Sequence, residues 1–228
     1  MVEMEFRQHS LVHERALADI RAHGVLGKLD PMTREVLDTF RAIGAIQKRY
    51  GQKIARRYIV AFTKSARHMA DVYELAELAF SHAQDVPELD VIPLFEQLED
   101  LENCVTVLDG MLQLPAVQRR LAQTGRRMEV MLGYSDSSKD AGPVSATLAL
   151  HSAQERIARW AEERGIDVVL MHGRGGAVGR FPKQSVGFIA DGVVYNLFGL
   201  LHTGGHEHLA VGVRLYLLPS ELPDVALS

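Results

Sequence analysis

Four times along this chain a short apolar run ends in a polar loop and gives way to a helical pattern, at steps of about 32–39 residues. The runs are Tyr58 to Phe62, Leu89 to Phe95, Glu129 to Gly133 and Ile166 to Met171. Continuous apolar strands that alternate with helices predict a parallel sheet covered by helices, an α/β fold. In such sheets functional groups collect at the C-terminal ends of the strands. Lys64, Glu96, Asp136 and His172 each lie at or just after such an end. A closed (β/α)8 barrel takes about 250 residues and eight strands. This chain has 228 residues and spends the first stretch on leading helices. The expectation is therefore a partial TIM-like (β/α) barrel of about four strand–helix units, or an open sheet.

The flanks read differently. A first helix is expected from Leu11 to about Ala22. A second opens with Asp30 as N-cap and Pro31 at the first helical position, and Gly51 ends it. Its apolar stripe of Val36, Leu37, Phe40 and Ile43 has the spacing of a helix that covers a core. Pro115 opens a short inserted helix, and a long one is expected from about Pro143 to Glu163, capped by Gly165. Beyond Phe181 the composition turns β-type, with Asp191-Gly192 and Gly204-Gly205 as turn signals. That predicts two or three antiparallel strands. The organisation expected is a helical lead-in over 1–57, a partial barrel of catalytic type over 58–180, and a β-rich tail over 181–228.

Charge and composition narrow the function. A net charge of −4 argues against a nucleic-acid partner. Cys104 is the only cysteine, so the chain forms no internal disulfide and no thiolate zinc cage. The N-terminal MVEMEFRQHS lacks the layout of a signal peptide, and the apolar stretch Val193 to Leu201 is too short to span a bilayer. These features predict a cytoplasmic protein with no membrane partner.

Two segments carry the chemistry. Residues 130–142 read VMLGYSDSSKDAG, and residues 171–180 read MHGRGGAVGR. The first offers Asp136, Lys139 and hydroxyls; the second offers His172, Arg174, Arg180 and four glycines. Glu96 and Asp136, from neighbouring strand ends, form a pair that can hold Mg²⁺ or Mn²⁺ and leave positions open for substrate. Either acid alone reads first as an ordinary helix-capping loop acid, and it is the pair that favours the metal; Asp136-Ser137-Ser138 is equally a capping turn. Glycines let backbone N–H groups approach an oxyanion, and arginine forks match phosphate and carboxylate. The segment is neither a Walker A loop nor a GxGxxG fingerprint. His202, His206 and His208 form a further cluster that reads as a loop.

These motifs resemble the active-site motifs of phosphoenolpyruvate carboxylase. LDVIPLFEQLEDLENC is similar to that family's segment with a metal-binding glutamate, and YIVAFTKSARHMADVYELAELA is similar to the segment before it. The resemblance covers about residues 36–180. It implies that Glu96 and Asp136 are the Mg²⁺ or Mn²⁺ ligands and Lys139 the active-site lysine. It places His172 beside the carboxylation centre, with Arg174 and Arg180 stabilising phosphate and carboxyphosphate. The implied substrates are phosphoenolpyruvate and bicarbonate, and the products oxaloacetate and phosphate. A homo-oligomer or a partner chain is also expected, because unpaired strands at both sheet edges favour association. The chain matches only a central part of the family's barrel, and after Arg180 the family's glycine run is replaced by Phe181-Pro182-Lys183-Gln184. Two other readings stand beside the enzyme: a non-catalytic remnant that still binds metal and phosphoanion, and an interaction module that pairs through an exposed sheet edge.

Overall fold

The computed structural model describes residues 5–133, 135–173, 187–190, 193–196 and 210–217, with side chains over 5–133 and 148–171. Five strands run parallel in chain order: β1 (Glu5–His9), β2 (Arg57–Ala61), β3 (Asp90–Phe95), β4 (Arg127–Gly133) and β5 (Asp167–Gly173). Three short strands follow, β6 (Gly187–Ala190), β7 (Val193–Asn196) and β8 (Ala210–Leu217). They pair antiparallel, and β8 joins them to β5, giving the order β1-β2-β3-β4-β5-β8-β7-β6. The pairings among the described residues leave β1 and β6 at opposite ends of that order.

Among the described residues six α-helices connect and cover the sheet: α1 (Ser10–His23), α2 (Pro31–Tyr50), α3 (Ala66–Leu78), α4 (Leu98–Leu112), α5 (Pro115–Gln123) and α6 (Ser135–Arg164). The helix ends follow local chemistry. The Asp30 side chain accepts from Met32 N–H to cap α2, and Gly51, at φ 93°, lets the chain leave it. In α4 the Gln97 side chain accepts from the backbone of the first turn while Asp100 reaches back to Gln97 N–H, a reciprocal capping box. None of the described helices is long and apolar enough to cross a membrane.

Side chains alternate across the strands and build two layers. Tyr58, Val60, Val91, Phe95, Val130, Leu132, Val168 and Leu170 face the helices and meet Leu17, Phe40, Leu75, Leu108 and Trp160 in the main core. Phe40 stacks on Tyr58 with ring centroids 5.1 Å apart. The opposite face carries Ile59, Ala61, Ile92, Leu94, Met131, Val169 and Met171. A charged layer lies below these, at the N-terminal ends of the strands, where Arg57 pairs with Glu129 at 2.6 Å.

The parallel strands β2 to β5 fall on the four expected runs. Three features differ. β1 lies inside the stretch expected to be helical, so the parallel set has five members. α6 begins at Ser135, so the segment expected as a loop over 134–142 forms the first turns of a helix from its second residue onward. Ser and Asp suit a helix start as well as a turn, and composition alone does not separate the two. The tail's strands do form, with β6 and β7 flanking residues 191–192, but they extend the main sheet through β8.

Candidate functional site

The C-terminal ends of the parallel strands converge on Glu96, the residue after β3. Its carboxylate is buried yet ionically engaged: Arg7 Nη2 on β1 lies 2.5 Å from Oε1, and the backbone N–H of Phe62 donates to Oε2 at 3.2 Å. A buried carboxylate is tolerable only when its charge is answered in this way. The capping box at Gln97 fixes the backbone just after Glu96.

Phe62 is held in an uncommon conformation to make that contact. Its φ is 55°, a region that bulky residues avoid. Two contacts hold it there. Its carbonyl accepts from Ser10 Oγ at 3.0 Å, and its ring stacks on His9 at 4.5 Å and 23°. His9 in turn accepts from Leu11 N–H through Nδ1, which leaves the proton of the neutral ring on Nε2. Burial, then the nearby His68, push the His9 pKa below its ordinary value. Strain at a strand end beside a charged group is the pattern expected of a functional site.

Gly133, the last residue of β4, packs directly against Glu96. A Cβ there would sit 2.9 Å from Glu96 Cγ, so only glycine fits with the glutamate in place. The register sets Leu94 against Met131 and Phe95 against Leu132, which brings Glu96 level with Gly133 and the start of α6. Asp136 and Lys139 are both on the first turns of α6, and His172 is on β5 in register with Leu132. The side chains of these three lie outside the described residues, as do Arg174 and Arg180 in full. Lys64, exposed at the end of β2, donates its backbone N–H to His68 Nδ1 at 3.3 Å, and His68 Nε2 meets Glu14 at 2.9 Å.

Among the described residues no three His, Cys, Asp or Glu side chains cluster for a metal. Of the two acids expected to hold a metal, Glu96 is the one whose side chain lies among the described residues, and a carboxylate of this kind is an oxygen donor that suits Mg²⁺ or Mn²⁺. Arg7 escaped the sequence reading. It belongs to a five-residue strand whose only apolar member is Phe6, too short for a periodic signal.

The sequence profile of the family described as phosphoenolpyruvate carboxylase matches residues 4–182. A phosphoenolpyruvate carboxylase from Gloeobacter violaceus is 41% identical over 150 residues, covering 65% of this chain and 16% of that protein. One from Ralstonia nicotianae is 33% identical over 217 residues, covering 79% of this chain and 22% of that protein. One from Rhodothermus marinus is 33% identical over 221 residues, covering 79% and 24%. The chain thus spans only about a fifth of the length of the curated relatives it matches.

Proposed function

The chain belongs to the phosphoenolpyruvate carboxylase family, and from that premise we propose that it binds phosphoenolpyruvate with a divalent cation and carboxylates it with bicarbonate. The observation that carries the reading is the Glu96 carboxylate, buried at a strand end, held by Arg7 and the Phe62 N–H, and packed against Gly133. Glu96 and Asp136 would hold Mg²⁺ or Mn²⁺. The bound cation would neutralise phosphoryl charge and polarise the oxygen on which the enolate develops.

In this reading bicarbonate oxygen attacks phosphorus and the bond from phosphorus to the enol oxygen breaks. That leaves carboxyphosphate and the enolate of pyruvate. Carboxyphosphate divides into CO₂ and phosphate, and the enolate carbon takes CO₂ to give oxaloacetate. Lys139 and the guanidinium groups of Arg174 and Arg180 carry the charge that shifts on phosphoryl transfer. His172 lies beside the carboxylation centre. Water has to be excluded, because protonation of the enolate would yield pyruvate. Support comes from the residues themselves: every one named lies within the stretch 4–182 matched to the family.

The test mixes the purified chain with phosphoenolpyruvate, bicarbonate and Mg²⁺ and follows oxaloacetate through coupled malate dehydrogenase. Oxaloacetate is expected, and Asp136→Asn and Lys139→Ala should each abolish it. No product from a cooperatively folded chain would refute the enzyme reading. Retention of activity in both variants would refute the site assignment.

A further inference from the structure

The sheet is split at the end opposite Glu96. β4 and β5 pair along their whole length, from Arg127 with Asp167 to Gly133 with Gly173. β2 and β3 pair from Arg57 with Asp90 to Val60 with Pro93. Between β3 and β4, however, only Leu94–Met131 and Phe95–Leu132 pair, both at the C-terminal end. Pro93, just before the paired residues, has no N–H to give a ladder. The unpaired halves of the two strands border a cavity of about 450 Å³, within the range of small-molecule sites.

The cavity's charge is unbalanced. Among the described residues it is lined by Lys53, Arg56, Arg120 and Arg127 against only Asp90 and Glu129. Each acid is already shared. Asp90 meets both Arg120 Nε and Arg56, and Glu129 meets Arg57 and, at 3.4 Å, Arg127. Arg56 Nε lies 3.0 Å from Asp90 Oδ2 in an ion pair, yet this buried nitrogen makes no hydrogen bond. Arg120 also reaches Glu88 at 3.9 Å, yet an excess of positive charge remains, with Arg56 and Arg120 mostly buried and Lys53 and Arg127 at the exposed mouth; a bound anion would balance that charge and take up the unused donor. Tyr73 also lines the space, its phenol held protonated by burial and by Asp90, so it too is a donor.

We propose that the split between β3 and β4, with Lys53, Arg56, Arg120 and Arg127 around it, is a binding site for a compact multiply charged anion, either a phosphate or a polycarboxylate. It lies at the N-terminal ends of the strands, away from Glu96, and does not depend on the reaction proposed above. The cavity's apolar walls, Val91, Ile92 and Met128 among them, suit a ligand with a short carbon frame between its charged groups.

Isothermal titration of the full chain with inorganic phosphate, and separately with citrate, at ionic strength held constant with NaCl, tests this. At least one of the two should bind saturably. Phosphate alone would mark a phosphorylated ligand, and citrate alone a polycarboxylate. Lys53 is exposed at the rim, so Lys53→Glu should leave the fold intact and weaken binding about tenfold or more. Arg127→Gln should weaken it in the same direction. A second saturable event that is lost in Lys139→Ala but kept in Lys53→Glu would belong to the strand ends near Glu96 and not to this site. The proposal is overturned if neither anion binds, or if the binding seen is untouched by Lys53→Glu and Arg127→Gln.

Discussion

Gly133→Ala is the sharpest probe of how the site is built. The new Cβ would lie 2.9 Å from Glu96 Cγ, 3.3 Å from its Cα and 3.4 Å from its Cβ. Ordinary carbon contacts begin near about 3.5 Å, so one side has to give by about 0.6 Å. The φ of Gly133 is not in the left-handed region, so the backbone adds no strain of its own. Overpacking of this size costs about 1–3 kcal/mol. Moving the glutamate instead would stretch its 3.2 Å bond from Phe62 N–H beyond hydrogen-bond range, at about 1–2 kcal/mol. Either route gives about 2 kcal/mol, or about 4–8 °C in Tm for a chain of this size. A double-mutant cycle with Glu96→Ala isolates the cause, because that change removes the Cγ that is struck. Urea unfolding should show Gly133→Ala costing at least about 1 kcal/mol less in the Glu96→Ala background. Equal costs in both backgrounds would refute the claim that Gly133 is needed to seat Glu96.

Two further perturbations address the framework. His13 is fully buried beside Tyr58 and Gln8, and burial, then His68 and His9, lower its pKa to about 4. The unfolded chain therefore binds a proton below about pH 6.5 that the folded chain refuses, and stability falls from there down to about pH 4. The loss should reach about 1.4 kcal/mol at pH 5.5 and about 3 kcal/mol in all. Asp71 and Asp100, whose carboxyls burial pushes up, act with the opposite sign lower in that window. Urea midpoints at pH 7.5 and 5.5 should thus draw closer in His13→Gln, with a smaller gap left by His9, whose pKa is also lowered, and an unchanged gap would contradict the assignment. Gln47, buried on α2, donates to the carbonyls of Ala55 and Glu88 at 2.9 and 2.8 Å and accepts from Glu88 N–H at 3.0 Å. Gln47→Met strands these groups and should cost about 3 kcal/mol by chemical denaturation, whereas a loss below about 1 kcal/mol would show that water takes over the three bonds.

What the sequence revealed follows from range. β2 to β5 were legible because each is a continuous apolar run whose burial on both faces leaves its mark locally. The ends of α2 were legible because Asp30, Pro31 and Gly51 act on their immediate neighbours. β1 was not, because its stability comes from pairing Glu5–His9 with Arg57–Ala61, some fifty residues on. Glu96 was found from its place after an apolar run, yet its meaning rests on Arg7, 89 positions away in sequence. The same limit hid the split between β3 and β4. Pro93 was visible, but the missing ladder, and the arginines gathered from before β2, from α5 and from the start of β4, exist only once the strands are side by side. The sheet thus has two charged ends of different logic. At the C-terminal end a buried acid is answered by Arg7 and a strained backbone N–H. At the N-terminal end Arg56, Arg57, Arg120 and Arg127 share Asp90 and Glu129, with Glu88 near Arg120, while Lys53 adds a further charge and Arg56 Nε makes no hydrogen bond, and that asymmetry makes the second end a place to look for a ligand.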